Sequence, residues 1–117
     1  MSEQLGTVTV APDVIREIVR QTARAIPGVA RMDTFQSPRV NRLLTARAAT
    51  GIALDLDADL ATIDLFIIAE PDAPMLSLGQ TLQREIQRAV EDGLGMSVKQ
   101  INVHIEDVAD RFATTPE

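Results

Sequence analysis

The hydrophobic positions at the start of the chain change from strand spacing to helix spacing. Thr7–Val10 alternates threonine with valine, and all four residues are β-branched, which predicts a short strand. Pro12 then stands where the first turn of a helix tolerates proline, and apolar residues recur every three to four positions after it. The predicted stripe consists of Val14, Ile15, Ile18, Val19 and Ile26. We therefore expect a helix from Pro12 to Ile26, ended by Pro27-Gly28.

The middle of the chain predicts a pair of strands. Ile52, Leu54 and Leu56 alternate with Ala53, Asp55 and Asp57, as in a strand with one face in water, and Asp57–Asp59 supplies a polar turn. Thr62–Ala69 is apolar on both faces, which is typical of a strand in the interior of a sheet. The two segments should form an antiparallel hairpin. Before them we expect a strand over Val29 to Phe35 and a short helix from Arg39 to Ala49.

The last third of the chain predicts one long helix and one strand. The helix should run from Met75 to Asp92 and end at Gly93, which is a suitable C-cap. Its predicted buried stripe consists of Leu78, Leu82, Ile86, Ala89 and Val90. Val98–Ile105 then alternates again, with His104 on the polar side.

These elements together predict an α+β fold. The expected architecture is a two-layer sandwich, in which a mostly antiparallel sheet of four to five strands carries two main helices on one face. A chain of 117 residues suits one domain with one core. We place that domain at residues 6–109 and expect a flexible C-terminal tail at 110–117.

Composition narrows the function classes. A net charge of -6 and an aromatic content of 3% argue against nucleic acid and anionic lipid as direct partners. The absence of cysteine excludes disulfides, thiolate metal sites and cysteine nucleophiles. The first residues lack the pattern of a secretory signal, and the longest apolar run, Leu65–Ala69, is far below the roughly 18 residues of a membrane span. We expect a soluble, intracellular protein that does not insert directly into a membrane.

Few residues suggest site chemistry. His104 is the only histidine, and on the polar face of a strand it is expected to be an ordinary surface residue. The series Asp55, Asp57, Asp59 has the spacing of a calcium loop but lacks its central glycine and its final glutamate. We predict no enzymatic activity, metal or cofactor. An alternative is a small-ligand sensor, in which the polar sheet surface around His104 and the loop Glu70–Pro74 bind a metabolite.

Charge is segregated along the chain. Seven arginines occur first, at Arg16, Arg20, Arg24, Arg31, Arg39, Arg42 and Arg47. Six acids follow without an intervening base, at Asp55, Asp57, Asp59, Asp64, Glu70 and Asp72. Arg16, Arg20 and Arg24 repeat every four residues and form a ridge, which the helical period places almost opposite the apolar stripe. The ridge is either an ordinary solvated helix face or a surface that docks on the acidic region around Asp55–Asp72 of another copy, in which case salt should weaken self-association.

Several segments, taken in order, resemble a known family. They are Gly6–Ile15 leading to Ile26–Val29, Gly51–Leu54, Ile63–Ile68, and Ile86–Val90 running on to Val103-His104-Ile105. Their order, and the glycine–valine pairs that precede strands, are similar to those of the alkaline shock protein family, the envelope stress response proteins of Gram-positive bacteria. The match spans about Gly6 to Val108.

The resemblance implies a function without catalysis. Members of this family are abundant cytoplasmic proteins that gather beneath the cell membrane by binding a small membrane-anchored protein partner, and that self-assemble there as a scaffold. They help the cell to tolerate envelope or alkaline stress. The resemblance supplies no catalytic residues for this chain.

Overall fold

The computed structural model describes residues 5–33 and 51–109 of the chain. Within these ranges lie two helices and four strands. They are, in order, α1 (Pro12–Arg24), β1 (Val29–Met32), β2 (Ile52–Asp57), β3 (Leu60–Ala69), α2 (Met75–Leu94) and β4 (Ser97–Val108).

The strand β3 is the centre of the sheet. β4 pairs with it in parallel along its whole length, from Leu60 to Ala69. β1 and β2 both pair with it antiparallel, at its C-terminal and N-terminal parts respectively. Because a strand has only two edges, β1 and β2 share the edge that β4 leaves open.

β1 and β2 therefore form one interrupted strand. The backbone N–H of Asp33 donates to the Phe66 carbonyl at 2.7 Å, and the N–H of Phe66 donates to the Gly51 carbonyl at 2.8 Å. Asp33 and Gly51 thus bond to the same residue of β3. Gly51 has φ +83°, and a Cβ there would lie 3.0 Å from Met32 Cβ and 3.2 Å from the Phe66 carbonyl oxygen, so this junction requires glycine.

Both helices pack on one face of the sheet. Alternate residues of β3, among them Ile63, Leu65 and Ile67, point into a core that also holds Ile15 and Val19 of α1. The residues that α2 contributes are Leu78, Leu82, Ile86 and Val90. The core is aliphatic, and Phe66 lies on the other face of the sheet, where its position in the alternation of β3 places it. The predicted α+β sandwich is confirmed.

Among the described residues, two of the predicted elements, the hairpin and the first helix, are present, and the first predicted strand is not. The hairpin is confirmed, since β2 and β3 pair antiparallel from Ile52↔Leu65 to Asp57↔Leu60. The first helix begins at Pro12 as expected and ends at Arg24. The strand predicted at Thr7–Val10 is wrong, because no described strand pairs with this segment and a strand needs a ladder partner.

One further prediction concerns the end of the second helix, and three concern segments outside the described residues. Gly93 does not end the second helix, since α2 continues through it to Leu94. Gly95 is the cap, with φ 71° and its N–H bonded to the Glu91 carbonyl at 3.1 Å, because the left-handed conformation is needed there and not at Gly93. The helix predicted at Arg39–Ala49, the end of the strand predicted to Phe35 and the tail at 110–117 lie outside the described residues.

Candidate interaction surfaces

The arginine ridge on α1 is partly neutralised by acids of the same helix. Arg16 Nη1 lies 2.7 Å from Asp13 Oδ1. Arg20 holds Glu17 with two bonds, Nε to Oε1 at 3.1 Å and Nη2 to Oε2 at 2.5 Å. These bonds from Arg20, with a further one from Gln21, lower the pKa of Glu17, and the same contact raises the pKa of Arg20. The ridge therefore presents less positive charge than the arginines alone suggest.

The ridge also does not lie opposite the buried stripe, which corrects the prediction from helical spacing. The fully buried side chains of α1 are Ile15, Val19 and Ala23. At 100° per residue, Arg16 and Arg20 each lie only about 60° from the buried residue three positions later. Their side chains accordingly retain 26% and 34% of their exposure. The sequence argument placed Val14 in the stripe, although it is 48% exposed, and missed Ala23.

The acidic series lies on a different layer of the molecule. Ile52 and Leu54 of β2 point into the core, so Asp55 and Asp57 point away from the helices. Both are exposed, as is Asp59 in the turn that follows. One copy therefore does not bring the ridge and the acidic series together. Among residues 5–33 and 51–109, no three histidine or carboxylate side chains converge as a metal site.

His104 has partners that the sequence did not predict. Its Nε2 lies 3.0 Å from Oδ1 of Asp64, and its ring stacks on Phe66 with the centroids 4.6 Å apart and the planes 11° from parallel. Both partners belong to β3, because the parallel register sets His104 opposite Phe66 and Asn102 opposite Asp64. The histidine is therefore half-buried within a small cluster rather than a free surface residue.

The outer edge of β4 is partly covered by side chains from α2. Gln83 Nε2 donates to the carbonyl of Ile101 at 3.0 Å, and Glu91 Oε2 accepts from the N–H of Val98 at 3.1 Å. These bonds satisfy two backbone groups that would otherwise be open at a sheet edge. They cover only the N-terminal part of β4.

Solved structures place the chain in a class by its fold. A MamM-CTD structure is similar, with a TM-score of 0.53 and 12% identity over 83% of this chain and 99% of that chain. A manganese form of a MamM CTD variant gives a TM-score of 0.52 with 11% identity, over 83% of this chain and 99% of that one. At this level of identity the likeness concerns the fold alone. The chain is a small two-layer α+β domain of this type.

Sequence comparisons identify the family. A model of the alkaline shock protein 23 family, described as having a cell envelope-related function, matches residues 1–110. The chain belongs to this family, and the resemblance stated from the sequence is confirmed. The protein YqhY of Bacillus subtilis (strain 168), itself described as uncharacterized, is 29% identical over 102 residues, which are 86% of this chain and 76% of that protein. Neither helix of the described part is long and apolar enough to cross a bilayer.

Proposed function

We propose that this protein is a non-enzymatic interaction module of the envelope stress response, which self-associates and is recruited to the inner face of the cytoplasmic membrane by a membrane-anchored protein partner. The observation that carries the proposal is the separation of opposite charges onto different layers of one domain. Basic side chains follow α1 in the helical layer, and Asp55, Asp57 and Asp59 are exposed at the end of β2. One copy cannot join these surfaces, but two copies can.

The ion pairs within α1 limit how strongly the arginine ridge can attract the acidic series of another copy. Arg16 and Arg20 already hold carboxylates of their own helix, whereas Arg24 is exposed at the last turn of α1. Docking between copies would exchange solvent-exposed ion pairs within α1 for ion pairs between molecules. Each such exchange contributes less than about 1 kcal/mol to the free energy of association. Self-association through charge alone should therefore be weak and sensitive to salt.

Recruitment by a partner is supported by the family's cell envelope-related function. The test is a pull-down of the full chain from native membranes at low and at high salt. Recovery of a small membrane-anchored protein together with the chain supports the proposal. Recovery of the chain alone, in both salt conditions, contradicts the recruitment.

One observation favours a second candidate function, which is the binding of a small ligand at the face of the sheet away from the helices. The cluster of His104, Asp64 and Phe66 combines a ring nitrogen, a carboxylate and an aromatic face within one small area. A ligand that binds there would raise the melting temperature by mass action. A thermal-shift screen of metabolites, repeated on His104→Ala, separates binding at this cluster from binding elsewhere.

A further inference from the structure

The segment before α1, residues 5–11, has the sequence of a strand but no strand partner among the described residues. We name it the N-terminal arm. Thr7–Val10 alternates β-branched residues, yet Val8 is 95% exposed and Leu5 is 89% exposed. Only Val10, at the base of the arm, packs against the core. Exposed apolar side chains on an unpaired segment of high strand propensity are typical of chains that pair with another molecule.

Two hydrogen bonds fix how α2 lies along the outer edge of β4. Glu91 contacts Val98, and Gln83 contacts Ile101. Eight residues of helix cover about 12 Å, and three residues of strand cover about 10 Å. The helix and the strand are therefore antiparallel and advance together along this edge.

Extended by helical spacing, the same register directs Leu76 toward the C-terminal part of β4. Leu76 is seven residues before Gln83, which is two helical turns, so both side chains project from the same side of α2 about 10 Å apart. An equal distance along β4 from Ile101 reaches His104, between Val103 and Ile105. Leu76 is 77% exposed, and Val103 and Ile105 are half-buried at the margin of the core. We name Leu76, Val103 and Ile105 the edge cleft.

No hydrogen bond from residues 5–33 or 51–109 reaches the outer backbone groups of the edge cleft. In a regular strand the N–H and C=O groups of alternate residues point to the same edge, and the pairing of β4 with β3 is regular from Gln100 to Ile105. Because the Ile101 carbonyl points outward to Gln83, the backbone groups of Val103 and Ile105 also point outward. Among the described residues, no side chain of α2 reaches them as Gln83 and Glu91 reach the earlier part of the strand. On the opposite sheet edge, the first part of β2 is less accessible, because Ile52 and Leu54 are 0% and 6% exposed.

We infer that the N-terminal arm of one copy adds as a strand to the edge cleft of a second copy, pairing its backbone with Val103 and Ile105 and covering Val8 with Leu76. The arm supplies what the cleft lacks, a short segment with free backbone groups and a β-branched apolar side chain on alternate positions. The inference deepens the proposed function, since it rests on self-association and names a second pair of surfaces, beside the ridge and the acidic series, through which copies contact each other.

The first test measures self-association of the full chain by sedimentation velocity. Val8→Asp and Leu76→Asp should each raise the dissociation constant between copies about tenfold or more, because each places a carboxylate in the new contact. Val14→Asp is the matched control, since Val14 is also exposed and apolar but lies on α1. It adds the same charge and should change the constant by less than about twofold. Because Val8 and Leu76 are solvent-exposed, neither substitution should alter the folding of the single copy.

The second test uses the absence of cysteine from the chain. Val8→Cys and Leu76→Cys are prepared separately, mixed and oxidised, and should give a covalent dimer of one of each, whereas Val8→Cys mixed with Val14→Cys should not. In parallel, amide exchange at Val103 and Ile105 should slow as protein concentration rises. Self-association that persists unchanged in Val8→Asp and Leu76→Asp overturns the arm docking and leaves the proposed function intact. A wild-type chain that stays monomeric at every concentration overturns both.

Discussion

His104 and Asp64 lie 40 residues apart in the sequence, and the structure brings Nε2 of the histidine to 3.0 Å from Oδ1 of the aspartate. The contact exists because β4 runs parallel to β3 and both side chains lie on the sheet face away from the helices. Phe66 completes the cluster by stacking under the imidazole, and at 8% exposure it is one of the buried side chains on that face. The aliphatic core lies on the other side of the sheet, so the cluster occupies a face of the sheet that the core does not reach.

His104→Ala should lower the free energy of unfolding by about 1–2 kcal/mol, because it removes an aromatic stacking partner and uncovers Phe66. Urea denaturation measures the change, and Lys99→Ala, an exposed residue of the same strand, is the control. In a double-mutant cycle with Asp64→Ala, the coupling energy should stay below about 1 kcal/mol because both side chains are partly exposed. A loss no larger than that of the control would show that the stack contributes nothing.

Gly51→Ala should destabilise the protein by about 2–4 kcal/mol, because alanine resists the positive φ and its Cβ would crowd Met32 and the Phe66 carbonyl. Gly79→Ala is the matched control. Gly79 lies within α2, and nothing is within 4 Å of the Cβ position, so the same substitution there should stabilise by about 0.5–1 kcal/mol. Thermal and urea unfolding of the two variants should thus move in opposite directions.

Glu17 should make stability depend on pH in acid. Its pKa is lowered in the folded state, chiefly by the hydrogen bonds from Arg20, so its contribution is present above the unfolded value near 4.5 and is lost as pH falls through the lower folded value. Glu17→Gln removes this contribution. The difference in urea midpoint between wild type and Glu17→Gln should therefore be constant above about pH 5.5 and shrink below about pH 4.5. A difference that is independent of pH would contradict the role of the carboxylate.

Charge reversal should test the contact between the ridge and the acidic series. The double variant Arg20→Glu with Arg24→Glu should weaken self-association, and so should Asp55→Arg with Asp57→Arg. A mixture of the two variants should associate more strongly than either alone, because opposite charges then meet again between copies. Sedimentation at low and high NaCl measures these effects, and high salt should reduce the differences. Equal association in all samples at low salt would rule out the charged contact.

The sequence predicts best where alternation and burial agree. Ile52, Leu54 and Leu56 alternate with Ala53, Asp55 and Asp57 in β2, and the apolar run of β3 needs cover on both faces, so their hairpin follows directly from the pattern. Four of the five residues predicted for the α2 stripe, Leu78, Leu82, Ile86 and Val90, are buried, and the fifth, Ala89, is half-buried at its margin. Each of these features depends on local periodicity and on burial in the core between the sheet and the helices.

The features that the sequence predicted wrongly depend on contacts over a longer range. Thr7–Val10 has the propensity of a strand, but propensity does not supply a neighbouring strand. Ala23 is small and was left out of the predicted hydrophobic stripe of α1. Without it the centre of the stripe was placed wrongly around the helix, so the arginine ridge was predicted to lie opposite the stripe. The cluster of His104 with Asp64 required the pairing partner of β4. Only the length of the segment between β3 and β4, which is long enough for a parallel crossover, could have indicated it.

The junction at Phe66 makes the geometry of the sheet independent of the length of the connection between β1 and β2. Because Asp33 and Gly51 bond to the same residue of β3, the register on either side is fixed locally and does not depend on how many residues connect them. Doubling the length of such a connection costs only about 0.6 kcal/mol of closure entropy. We therefore expect a connection of another length between Asp33 and Gly51, or a new pair of chain termini placed there, to leave β1 and β2 paired with β3.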